Sequence, residues 1–215
     1  KSKEAFNSIS SIKRIKNHTI NSFDNGGAMA TTSLLYKENV SKQKYIKEIV
    51  DYMSNFAGRQ LHVNHKIYKS ELLHDERNLA IAYLLKSYNK FYGDIETCVD
   101  VYTRQCSVMV TSKDVALMAA TLANGGVNPK TKQHIIKPRN VKYILDHMVL
   151  NGLYNETDKY MSDVGIIAKS GVGGLLLLVV PGVMGIGILS PPLNNFGNSV
   201  KGIKTAKLLS TFINV

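Results

Sequence analysis

The stretch VGIIAKSGVGGLLLLVVPGVMGIGIL, residues 164–189, is where the chain changes character. Three apolar runs, Val164 to Ser170, Leu175 to Val180 and Val183 to Leu189, are separated by Gly171-Val172-Gly173-Gly174 and by Pro181-Gly182. Runs of this length bounded by Gly and Pro punctuation read as strands. Connections this short can join only antiparallel neighbours, so a meander is expected. A membrane span is the competing reading of Leu175 to Leu189. It fails because a spanning helix needs roughly 20 apolar residues, and because Pro181-Gly182 interrupts the run halfway.

Upstream the periodicity is helical. Ile46, Ile49, Val50 and Met53 follow i, i+3, i+4, i+7, with Ser41 as N-cap and Gly58 beyond the end. A second helical pattern runs from about Ile67 to Tyr88, and Asp94 caps a third helix that reaches Cys106. Thr111-Ser112-Lys113-Asp114 has the form of a capping box, and the stripe Val115, Met118, Ala119, Leu122 stops at Asn124-Gly125-Gly126. Pro138 suits a first helical position, Val141, Ile144, Leu145 and Met148 supply an apolar face, and Asn151-Gly152 ends it. A last helix follows the strands from Asn198 to about Ile213. Three strands cannot cover both faces or both edges of a sheet by themselves, so the helices must pack on them and an edge is left for something else to pair with. The expected organisation is one α+β domain, with residues 1–160 as a mainly helical lobe and 161–215 as antiparallel strands and a final helix.

With 215 residues, 44% of them hydrophobic, the chain can bury a core, which argues against disorder. The first residue is Lys1 rather than Met, so a piece of a longer polypeptide is expected. The net charge of +11 invites a nucleic-acid reading. The lysines, however, are scattered over helical stretches such as Lys42, Lys44, Lys47 and Lys201, Lys204, Lys207, with no nucleic-acid-binding motif beside them. A solvated basic surface is expected, and no nucleic acid and no membrane as partners. Cys98 and Cys106 share one predicted helix, with Cα atoms about 12 Å apart at the helical rise. That exceeds the roughly 7 Å a disulfide tolerates. They read as buried thiols of a reducing, cytoplasmic compartment.

Several residues could carry chemistry. Glu71 and Asn78, seven apart on one predicted helix, would share a face. The carboxylate could bind an ammonium and the amide a carboxylate or amide, although the residues alone favour a solvated helix face. Lys169-Ser170-Gly171 resembles the Lys-Thr/Ser-Gly strand of serine β-lactamases and penicillin-binding proteins, with a plain strand-ending turn as the alternative. Those enzymes also need Ser-x-x-Lys. Ser10-Ser11-Ile12-Lys13 has the spacing but lies in a polar, basic stretch without the apolar helix that would lower a lysine pKa. His62 and His65 lack a third ligand at helical spacing and read as ordinary polar histidines, as do His74, His134 and His147; no metal and no cofactor is expected. With eleven tyrosines, spacing singles out none of them.

Taken in order, five further stretches carry a resemblance. They are Ser70-Glu71 with Asp75-Glu76-Arg77-Asn78-Leu79-Ala80-Ile81; Ala119-Ala120-Thr121-Leu122-Ala123-Asn124-Gly125-Gly126; Ala168-Lys169-Ser170-Gly171-Val172-Gly173-Gly174; Ser190-Pro191-Pro192-Leu193; and Gly197-Asn198-Ser199-Val200-Lys201-Gly202. Together they resemble the serine-dependent glutaminases over nearly the whole chain.

The resemblance implies a serine β-lactamase-like α+β fold, a helical lobe packed on a C-terminal antiparallel sheet, with the site at their junction. The N-terminal strands and the Ser-x-x-Lys helix are expected to be missing here, since Phe6-Asn7-Ser8 matches a motif that follows them. It further implies hydrolysis of L-glutamine to L-glutamate and ammonia through an acyl-serine, in a homo-oligomer, and an inactive chain without the missing segment.

Substrate positions by resemblance are Asn25, Glu71, Asn78, Tyr102, Tyr154 and Val172. Glu71 would pair with the α-ammonium, and Asn25 and Asn78 would hold the amino-acid end. Tyr102 would relay a proton, Tyr154 would stand near the reacting carbonyl or the carboxylate, and the Val172 N–H would supply half of an oxyanion hole. Asn21-Ser22-Phe23-Asp24-Asn25-Gly26-Gly27-Ala28 departs from the family pattern, with Asp24 where an apolar residue is usual. A penicillin-binding or β-lactamase-type hydrolase and a non-catalytic basic binding module are the alternatives. Labelling by a penicillin would favour the first, and oligonucleotide binding the second.

Overall fold

The computed structural model describes Ser8, Ile9, Ile12 and residues 21–213. Among them lie nine α-helices and one three-stranded sheet. Two compact units are formed: Lys1–Met53 with Leu61–Met109, and Ser54–Gln60 with Val110–Val215.

In the first unit the helices are α1 (Asn25–Ser33), the start of α2 (Lys42–Ala57), α3 (His65–Leu72), α4 (Glu76–Ser87) and α5 (Ile95–Cys106). Helix α1 packs against α4 and α5 around a core of Met29, Ile81, Leu85, Val99 and Val101, all essentially without solvent contact. Full burial of side chains this size is worth about 1.5–3 kcal/mol each. The caps match expectation. Ser41 Oγ accepts from Lys44 N at 3.3 Å at the head of α2, and Asp94 Oδ1 accepts from Thr97 N at 2.8 Å at the head of α5.

Two expectations are corrected here. The helix anticipated from Ile67 to Tyr88 is two helices, α3 and α4, broken at Leu73-His74-Asp75. His74 N donates to Glu71 O at 3.1 Å, a tight closing bond, and Asp75 opens the next helix, as a residue that competes with its own backbone tends to. Glu71 and Asn78 therefore sit on consecutive helices rather than on one face of one helix. Helix α1 had no periodic signal at all, since Gly26, Gly27, Thr31, Thr32 and Ser33 are weak helix formers held by packing.

The second unit contains α6 (Ser112–Ala123), α7 (Pro138–Asn151), a single 3₁₀ turn Tyr154–Glu156, α8 (Thr157–Val164), strands β1 (Ile167–Gly171), β2 (Leu175–Val180) and β3 (Met184–Leu189), and α9 (Val200–Ile213). The sheet order is β1-β2-β3, fully antiparallel, with Ala168 opposite Leu178 and Leu178 opposite Ile186. The meander stands as read, and residues 175–189 form strands, not a span. No helix among the described residues is long and apolar enough to cross a membrane.

Leu176, Leu178 and Val180 turn one face of β2 toward a core shared with Ala168, Tyr160, Val164 and Ala206. Helix α6 lies on the other face, against β3. It comes so close that a Cβ on Gly185 or Gly187 would lie 2.0 Å or 2.1 Å from the α6 backbone. Alternating glycines on β3 are what let a helix of small residues lie flat there. The capping box at Thr111 and Asp114 is present, Pro138 occupies the first turn of α7, and both cysteines are free; Cys98 is buried as expected, whereas Cys106, in the last turn of α5, is exposed.

The first strand is corrected at its start. Val164 ends α8 and Gly165, at φ 76°, turns the chain before β1 begins at Ile167. Tyr160 and Val164, four apart and both buried, are a helical stripe that the apolar run had hidden.

Candidate functional site

In the first unit, Asn25 is the first residue of α1 and Asn78 lies in the first turn of α4. Asn25 Nδ2 donates to Asn78 Oδ1 at 2.9 Å, joining residues 53 apart in the chain. Both are half-buried. Asp24 sits at the N-cap position of α1 and accepts from Asn21 Nδ2 at 2.9 Å, so the acid that departs from the family pattern is hydrogen-bonded beside Asn25. Glu71 is exposed in the last turn of α3.

Tyr102 is half-buried on α5. One helical turn on lies the exposed Cys106; local desolvation raises its thiol, a hydrogen bond with Tyr102 lowers it and the charge of Glu71 raises it again. Glu71, Tyr102 and Cys106 are thereby electrostatic neighbours.

The two helices that carry Glu71 and Tyr102 are tied by a charged cluster. Tyr68 on α3 donates to Asp100 on α5. Arg104 donates to Asp100 from Nε at 3.0 Å and to the Tyr68 hydroxyl at 2.9 Å, while its guanidinium lies 4.0 Å from the centre of the Tyr68 ring. Lys42 reaches the same carboxylate at 3.1 Å. Burial alone would raise the Asp100 carboxyl, but the hydrogen bonds from Tyr68, Arg104 and Lys42 outweigh it and hold it below the usual range. The i, i+4 spacing of Asp100 and Arg104 on a foreseeable helix was the one sequence signal for this cluster.

In the second unit, Lys169 lies on β1 with its ammonium 4.3 Å from the centre of the Tyr154 ring, and it donates to Ser170 O. Val172 follows β1 in the turn to β2, its side chain half exposed. Gly174 N donates to Gly171 O at 3.0 Å and Ser190 N to Gly174 O at 2.8 Å, which fixes that turn. No hydrogen bond to another described residue takes up the Val172 N–H. A fixed, uncommitted backbone donor at a strand end is the kind of group that can stabilise a developing oxyanion.

Ser10, Ser11 and Lys13, the Ser-x-x-Lys candidate, lie outside the described residues, as do Phe6 and Asn7. Among the described residues no three His, Cys, Asp or Glu side chains gather to hold a metal ion.

The family model described as Glutaminase matches residues 1–215. The chain belongs to the glutaminase family. It is 42% identical to a glutaminase of Mycobacterium ulcerans (strain Agy99) over 198 residues, 92% of this chain and 61% of that one. It is 43% identical to glutaminase 1 of Escherichia coli (strain K12) over 199 residues, 93% of this chain and 64% of that one. It therefore spans about three-fifths of the length of the curated relatives it matches. Among solved structures, a probable glutaminase superimposes with a TM-score of 0.94 at 39% identity, covering 98% of this chain and 68% of that one. A Bacillus glutaminase does so with a TM-score of 0.93 at 30% identity, covering 99% and 73%. The fold is thus the β-lactamase-like α+β fold of the glutaminases, and the Lys169-Ser170-Gly171 strand shared with penicillin-binding enzymes belongs to a glutaminase frame.

Proposed function

We propose that this chain serves the hydrolysis of L-glutamine to L-glutamate and ammonia through an acyl-serine intermediate. The observation that carries the reading is the Asn25–Asn78 hydrogen bond, which brings two family-like positions together from 53 residues apart. Glu71, exposed on the helix before Asn78, supplies the carboxylate for the substrate α-ammonium, and the paired amides hold the amino-acid end.

In the chemical step a serine hydroxyl, relieved of its proton by a lysine, attacks the side-chain carbonyl carbon. The carbonyl oxygen becomes an oxyanion, accepted in part by the Val172 N–H. Tyr102 passes a proton toward the departing amine, ammonia leaves, and water then hydrolyses the ester to glutamate and free serine. Tyr154 orients the carbonyl. The nucleophilic serine and its lysine are proposed to come from polypeptide beyond these 215 residues, in keeping with relatives of greater length.

Ammonia release from L-glutamine is the test, with the 215-residue chain and with a version extended upstream of Lys1. Turnover by the extended form and none by the short one is expected. Activity in the short form would refute the external nucleophile, and inertness of both would refute the glutaminase reading. A homo-oligomer in the cytoplasm is part of the same proposal; a monomeric mass by light scattering would remove it.

A further inference from the structure

Tyr154 is one of three non-glycine residues among those described with a left-handed backbone, at φ 53°. A bulky residue does not rest in that region unless its surroundings over-determine it, and such outliers gather where a side chain must be aimed. The Tyr154 turn is held from several sides.

Before it, Gly152 presses on β1: its carbonyl accepts from Ser170 N at 3.0 Å, and a Cβ there would lie 1.8 Å from Ala168 O. Leu153 N donates to Thr157 Oγ1 at 3.0 Å, and the same hydroxyl donates to Tyr154 O at 2.8 Å. Leu153 O accepts from Asn198 Nδ2 at 3.1 Å.

Two residues after Tyr154, one oxygen of Glu156 accepts from Asn194 Nδ2 at 2.6 Å and from Asn198 Nδ2 at 2.7 Å. Asn198 has no solvent exposure. Asn194 is itself fixed, since its side-chain oxygen accepts from Phe196 N at 3.0 Å and Asn198 N at 3.1 Å. The amide of Asn198 thus grips the turn on both sides of Tyr154, and the ring ends 4.3 Å from the Lys169 ammonium.

We infer that Glu156 and Asn198, with Asn194 behind them, are positioning residues that hold the Tyr154 turn in the one backbone conformation that places its ring on Lys169. The inference rests on the role proposed above for Tyr154. A carboxylate fed by two amides from the segment after β3 fixes the turn from outside its own sequence, which a one-turn 3₁₀ element cannot do for itself. Small displacements of a positioned group cost far more rate than binding.

The experiment is steady-state glutamine hydrolysis by the active polypeptide, with folding followed by thermal melts, for Tyr154→Phe, Glu156→Ala, Glu156→Gln and Asn194→Ala. Glu156→Ala is expected to lower kcat about tenfold or more with KM within about threefold, as misplacement of a reacting group does. Glu156→Gln, whose amide oxygen still accepts from both asparagines, is expected to recover most of it. Asn194→Ala, which removes one donor to Glu156 together with the acceptor of Phe196 N and Asn198 N, should lower kcat about threefold, and it decides the matter if Glu156→Ala does not fold. Unchanged kcat in Glu156→Ala and Asn194→Ala beside a crippled Tyr154→Phe would overturn the inference alone, as would a Gln variant as poor as the Ala variant. An unimpaired Tyr154→Phe would overturn the role of Tyr154 and the inference with it.

Discussion

The two units hold their candidate residues by different means. In the first, side chains are held by side chains: Asn25 by Asn78, and α3 to α5 through Tyr68, Asp100 and Arg104. In the second, the decisive groups are backbone: the Val172 N–H beyond β1 and the left-handed turn at Tyr154. The difference teaches what each can contribute. Side-chain pairs suit the charges and amides of an amino acid that is already formed. Rigid backbone suits charge that exists only in the transition state, because it costs no reorganisation when the charge appears.

Substitutions can break or sharpen that contrast. The largest effect is expected from Tyr102→Phe, which removes the phenolic proton and should lower kcat by about 10²–10⁴ in a glutamine turnover assay. Val172→Pro deletes the backbone donor and should cost about 10²–10³ in kcat, with KM nearly unchanged. Equal losses in kcat and in binding would blur the division between the units. Glu71→Ala should act on KM instead, by roughly ten- to a hundredfold, the worth of a charge-assisted hydrogen bond.

The smallest effect belongs to Asp114. It is the third helical residue of the α6 capping box, accepting from Thr111 N at 2.7 Å, and its carboxyl is held well below the usual range chiefly by Arg59, against an opposing desolvation, with Thr111 assisting. A carboxyl depressed in the folded state stabilises fully above its unfolded value near 4 and loses that contribution as pH falls toward the folded value. Asp114→Ala should therefore destabilise by about 1 kcal/mol at neutral pH, the usual cost of a lost cap. The gap in melting temperature from the parent should narrow progressively as pH falls below about 4, with kcat unaffected. A gap that widens in acid would contradict the pairing.

What the sequence disclosed follows from how local each signal is. Asp94, Thr111 with Asp114, and Pro138 announce helix starts because a cap is settled within four residues. The Gly and Pro punctuation from Gly171 to Gly182 announces the meander for the same reason. Helix α1 was silent because its glycines and hydroxyl residues are helical only through packing on α4 and α5. The break between α3 and α4 was hidden by a hydrophobic pattern that ran on through Leu72 and Leu73, which are exposed. At the candidate site, Glu71, Asn78 and the Lys169 strand were visible as residue types in a suggestive place. The Asn25–Asn78 bond, the Asp100 cluster and the grip of Asn198 on the Tyr154 turn are long-range pairings, and no short window contains both partners.

The most direct test pairs one variant with one altered substrate. Ammonia release by the parent and by Glu71→Ala is measured with L-glutamine and with 4-carbamoylbutanoate, which is glutamine without its α-amine. If Glu71 binds the ammonium, the variant should be penalised on glutamine and lose nothing further on the analogue. An equal penalty on both substrates would mean that Glu71 does not touch the amine.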